Sequence, residues 1–110
     1  MQQDKKNNNL FGFGYGDGVK PYGPAGAVQL ASNEWQHVAV VCGDGKSFFY
    51  VNGVEKSSGA GSGVFVPNLN MSFRLGQGYA EGRFFRGLLS DVRIYRMALS
   101  PADVQKVMKE

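Results

Sequence analysis

Reactive side chains are sparse in this sequence. The single histidine, His37, and the single cysteine, Cys42, lie five positions apart. On an extended segment an odd spacing puts two residues on opposite faces, which disfavours a Cys/His nucleophile pair. His37 is read instead as a structural member of a strand, with Trp35 in the core beside it. A lone cysteine can neither close an internal disulfide nor supply a cysteine cluster for zinc. Glu34, Glu55 and Glu81 are scattered among turns and loops. Acid and nucleophile roles at a glycosidic bond need two carboxyls at a set separation, and this scatter does not provide them.

Binding chemistry is better represented. Sugar recognition uses exposed aromatic planes beside amide and charged groups, and Tyr15, Tyr22, Tyr79 and Phe84 are the available planes. Tyr79 and Arg83 share a glycine-hinged loop, Gln77-Gly78-Tyr79-Ala80-Glu81-Gly82-Arg83, of the kind that carries function on a rigid scaffold. Tyr15 and Asp17, with Asn9, Lys20 and Tyr22, form a second polar and aromatic cluster. The candidate ligand-binding residues are therefore Tyr15, Asp17, Tyr22, Tyr79 and Arg83. Each has a plain alternative, Tyr79 packing over a sheet edge and the Tyr15 cluster a solvated loop. Arg74, Arg83, Arg86 and Arg93 supply basic charge, but no nucleic-acid motif accompanies them, so nucleic acid is not the expected partner.

The elements that must hold these residues fit in one domain. The chain has 110 residues, 12 basic against 9 acidic side chains for a net charge of +3, and 16 glycines. That glycine content suits turns and positive φ more than helices. Residues 1–9 read as a flexible polar leader with no signal-peptide core, and no apolar run reaches the roughly 18 residues of a membrane span. The domain proper occupies 10–110. Phe11, Phe13 and Tyr15 alternate with glycines as one strand, and residues 34–42 read as a central strand with Trp35, His37, Ala39 and Val41 on one face. Asn52-Gly53 between Val51 and Val54 predicts a two-residue type I′ hairpin. Residues 57–63 read as a mobile Ser/Gly connection, and 84–95 as the last strand, with Leu88, Ser90, Val92 and Ile94 on one face. Ser100-Pro101-Ala102-Asp103 predicts a helix start, with Leu99 and Val104 as a hydrophobic staple.

Four segments in order then carry a resemblance: Glu34-Trp35-Gln36-His37-Val38-Ala39-Val40, Phe49-Tyr50-Val51-Asn52-Gly53-Val54, Phe73-Arg74-Leu75-Gly76, and Phe85-Arg86-Gly87-Leu88-Leu89-Ser90-Asp91-Val92-Arg93-Ile94-Tyr95-Arg96-Met97-Ala98-Leu99-Ser100. Together they resemble the laminin-G-like, concanavalin A-like lectin/glucanase sandwich family, in its bacterial, pentraxin-like type. The resemblance implies an all-β fold, an antiparallel jelly-roll-like sandwich with one short C-terminal helix. It also implies a carboxylate for structural calcium at Asp91, though calcium takes six or more oxygens and Asp91 alone cannot make a site. The glucanase strand signature Glu-x-Asp-x-x-Glu is absent, so no enzyme activity is expected. The opening strands of the family have no counterpart before Leu10, so the chain looks like the C-terminal two-thirds of such a domain and its sandwich looks incomplete. A sheet lacking neighbours exposes edges and apolar faces, so a second copy or a partner chain is expected to supply the missing strands. The leading expectation is a non-catalytic, lectin-like module at an extracellular or cell-surface location, contacting carbohydrate or a protein surface through its loops. The alternative is a structural or assembly module that self-associates, and the third reading is a glycoside hydrolase fragment.

Overall fold

The centre of the computed structural model, which describes residues 2–3, 10–13, 15–16, 19, 21–22, 28–61, 70, 75–77, 82 and 84–110, is a three-stranded antiparallel meander. It comprises β6 (Val38–Gly43), β7 (Lys46–Val51) and β8 (Val54–Ala60). Among the described residues five short strands precede it: β1 (Gln2–Gln3), β2 (Leu10–Gly12), β3 (Tyr15–Gly16), β4 (Pro21–Tyr22) and β5 (Val28–Gln29). One helix, α1 (Pro101–Met108), ends the chain.

Two tight turns set the register of the meander. Asp44 and Gly45 have φ of 51° and 71°, and Asn52 and Gly53 have φ of 50° and 75°. Positive φ at both central residues is the type I′ geometry, whose twist matches that of the strands it joins. The closing pairs are Gly43 with Lys46 and Val51 with Val54. Asn52 also reaches across to the segment before β6. Its side-chain Oδ1 accepts from the His37 backbone N–H at 2.9 Å, and its own N–H donates to the His37 carbonyl at 2.8 Å. One turn residue thus fixes where β6 begins.

β8 is longer than the sequence suggests. Residues 57–60, expected at the start of a mobile connection, pair with β7 as far as Lys46 with Ala60. A bulge between Phe49 and Tyr50 carries the register past Lys56, and the fully buried Ser47 hydroxyl donates to the Ala60 carbonyl at 3.2 Å. Pairing with β7 satisfies the backbone of this stretch, so its small side chains impose no disorder.

Alternation along β6 and β7 divides the apolar residues between two layers. Phe49 and Val51 pack with Phe11 of β2 and Val28 of β5, joined by Val38, Val40 and Phe85. This layer joins the β1-β2-β5 sheet to the meander, the arrangement of a sandwich. Tyr50 and Val41 face the other way and meet Val104 of α1, with Ala39, Phe48 and Leu99. Burying each of these side chains is worth roughly 1.5–3 kcal/mol.

The helix forms where the sequence places it. Ser100 Oγ accepts from the Asp103 N–H at 3.1 Å, while the Ser100 N–H donates to Asp103 Oδ2 at 3.3 Å. This reciprocal capping box draws the Asp103 carboxyl below its usual range, chiefly through the Ser100 side-chain hydrogen bond. Val104 is fully buried and Leu99 packs against the same cluster, as the staple requires.

Two expectations fail. Residues 84–95 do not form a strand: among the described residues Phe84 makes one bridge with Gln77, and residues 86–99 make no backbone–backbone hydrogen bond. Apolar alternation reports which residues would share a face, and it cannot report whether a neighbouring strand exists to pair with them. Trp35 is not in the core but is 68% exposed. The segment before β6 runs as bends, and α1 covers the meander face only around Val41 and Tyr50.

Candidate functional site

The predicted binding residues divide between described and undescribed parts of the chain. Asp17, Tyr79 and Arg83 lie outside the described residues. Tyr15 and Tyr22 are register partners in the β3–β4 ribbon.

The reactive groups stay apart. Cys42 is the last-but-one residue of β6, and partial burial pushes its thiol above the ordinary range, which keeps it protonated rather than nucleophilic. His37 Nδ1 is buried without a hydrogen-bond partner. Burial lowers the His37 pKa, a shift opposed by the charge of Asp91 and reinforced by that of Arg93. Glu34 lies in the bends before β6, and Glu55 sits on β8 opposite Tyr50. Glu81 is outside the described residues.

Asp91 is engaged by a cation already in the chain. Arg93 Nε donates to Asp91 Oδ1 at 2.8 Å and its terminal nitrogen donates to Oδ2 at 3.0 Å, a two-pronged pair. Arg93 also holds Glu110 and Tyr95, and with Asp91 foremost these partners raise the pKa of the guanidinium further. No group of three or more His, Cys, Asp or Glu gathers for a metal among the described residues. Both carboxylate oxygens of Asp91 thus accept from Arg93.

The most prominent surface feature surrounds that ion pair. Leu88, Ile94 and Met97 are 76%, 71% and 73% exposed, and Leu89, Val92 and Tyr95 are exposed between them. The run is anchored at both ends. Upstream, the Phe85 N–H donates to the Gly76 carbonyl at 2.7 Å, and the Phe85 ring meets Phe11 edge-on with centroids 5.7 Å apart. Gly87 leaves room for that ring, since a Cβ there would stand 2.8 Å from it. Downstream, Ala98 passes so close to Gly43 that a Cβ on the glycine would lie 2.7 Å from the Ala98 Cβ. Between the anchors, exposed apolar side chains accompany a backbone that makes no backbone–backbone hydrogen bond among the described residues. The sequence reading did not place this surface at named residues. The signal that locates it is apolar content on both faces of 88–95, which demands cover on two sides.

The family model described as the concanavalin A-like lectin/glucanases superfamily matches residues 2–105. The chain belongs to this laminin-G-like family. No curated protein matches it. A solved structure, an S-layer domain-containing protein (residues 221–444) from Clostridium thermocellum, is similar with a TM-score of 0.60 at 18% identity. The match covers 96% of this chain and 59% of that one, so the chain spans less than two thirds of the structure it resembles. At this identity the likeness concerns the fold, and fold does not fix a ligand. Among the described residues no helix is long and apolar enough to cross a membrane.

Proposed function

We propose that this chain is a non-catalytic binding module of an extracellular or cell-surface assembly, and that its contact surface is the apolar-rich run 86–97, which takes up an extended segment of another polypeptide. The observation that carries this reading is the coincidence, in one segment, of exposed Leu88, Val92, Ile94 and Met97 with a backbone that makes no backbone–backbone hydrogen bond among the described residues. Strand addition uses both features, main-chain hydrogen bonds for affinity and alternate side chains for specificity. That no three or more His, Cys, Asp or Glu gather among the described residues supports the non-catalytic part. The family and the S-layer likeness support a surface location.

A second reading, glycan binding, is favoured by the opposition of Tyr15 and Tyr22 in the β3–β4 register with Asp17 and Lys20 in the connection between them. One experiment separates the two. A fluorescent twelve-residue peptide of alternating Val and Thr is titrated against the chain and against the double variant Leu88→Ser/Ile94→Ser, with a glycan array run in parallel. Strand binding predicts saturable anisotropy that weakens at least about tenfold in the variant, a loss of roughly 1.4 kcal/mol. Absence of peptide binding, together with glycan binding that disappears in Tyr22→Ala, would contradict it in favour of the second reading.

A further inference from the structure

The run that carries the proposed function has a property that selects a particular occupant, and the inference rests on that reading. Consider two copies of residues 88–96 laid antiparallel about Val92. Leu88 then stands opposite Arg96, Leu89 opposite Tyr95, Ser90 opposite Ile94, and Val92 opposite itself. Asp91 stands opposite Arg93 of the second copy, and Arg93 opposite its Asp91. Both charges are paired, twice, and both are flanked by the Leu89 and Tyr95 pairs on the same face. Centring the pairing on Asp91 or on Arg93 sets like charges directly against each other, which is unfavourable. Shifting it by half a step joins opposite faces and leaves neither charge opposed. The register centred on Val92 opposes Asp91 and Arg93 while keeping each face against its own kind, and it is two-fold symmetric, the symmetry that closes a dimer.

The backbone of the isolated chain fits the same conclusion. Asp91 has φ of 50°, in the left-handed region that a non-glycine residue adopts infrequently. In that conformation Arg93 folds back onto its own Asp91 at 2.8 Å. The ion pair that the register would form between copies is thus formed within one copy, by a local kink in an otherwise unpaired segment. We infer that the occupant of the run is a second copy of this chain, paired antiparallel through 88–96, with Asp91 straightening to an extended φ and Arg93 exchanging its own Asp91 for that of the second copy.

Sedimentation equilibrium tests this with charge reversals. The native chain is expected to dimerise in the micromolar range, and Asp91→Arg and Arg93→Asp each to weaken the dimer at least about tenfold. Mixing these two variants is expected to restore it, because every 91–93 contact between unlike chains is again of opposite sign. Both residues are exposed, so circular dichroism should show each variant folded. A second measurement does not rely on the reversals. In a Cys42→Ser background, Val92→Cys is expected to cross-link on oxidation, since directly opposed residues have Cα atoms about 4.5–5.5 Å apart, within disulfide reach. Ile94→Cys, which meets Ser90 in this register, is expected not to. A chain that remains monomeric at about 100 µM, or a mixture that associates no better than its components, overturns the second copy as occupant. If the alternating peptide still binds such a chain, the strand-binding reading stands without it, and if neither associates both fall.

Discussion

Asn52 joins two segments that lie 15 residues apart. Its left-handed φ closes the β7–β8 turn, and its amide and backbone clamp His37 at the start of β6. The two roles separate by substitution. Asn52→Gly keeps the turn and loses the side-chain clamp, whereas Asn52→Ala loses the clamp and also strains the backbone. Urea unfolding should show a loss of about 1 kcal/mol for the glycine variant and about 1–2 kcal/mol more for alanine. Equal losses would mean that the turn conformation contributes nothing. The turn itself was legible from Asn-Gly between valines, because its chemistry is local. The clamp was not, because His37 carries no mark in the sequence of what its main chain bonds.

Elements announced by local chemistry lie close to where the sequence put them. The Ser100 N-cap, the Leu99–Val104 staple and the Asn52-Gly53 type I′ turn are read from residues within a few positions of one another. Elements that depend on a distant partner were misjudged in both directions. The serines and glycines of β8 looked unstructured yet are held by β7, and residues 84–95 looked like a strand yet beyond Phe85 make no backbone–backbone hydrogen bond among the described residues. The joint between the meander and the path into α1 is a further non-local feature, resting on the absence of a side chain at Gly43 beside Ala98. Gly43→Ala should destabilise the chain by about 1–3 kcal/mol through overpacking. Adding Ala98→Gly should recover most of that loss in a urea-denaturation double-mutant cycle. Additive losses would show that the two sites do not touch in solution.

At the scale of the whole molecule, a concanavalin A-like sandwich of laminin-G type has been assembled around Phe11, Val28, Phe49 and Val51, with α1 covering part of the opposite face of the meander. The fold class could be anticipated from the four motif segments. Which surface stays open could not be, because the answer depends on which strands find neighbours. The account places the molecule's binding function in that open run. Amide hydrogen exchange over residues 86–97, followed as the protein is diluted, addresses this most directly. The account predicts fast exchange in dilute solution and protection that grows with protein concentration or with added strand peptide. Fast exchange under every condition, or strong protection that persists at the highest dilution, would contradict it.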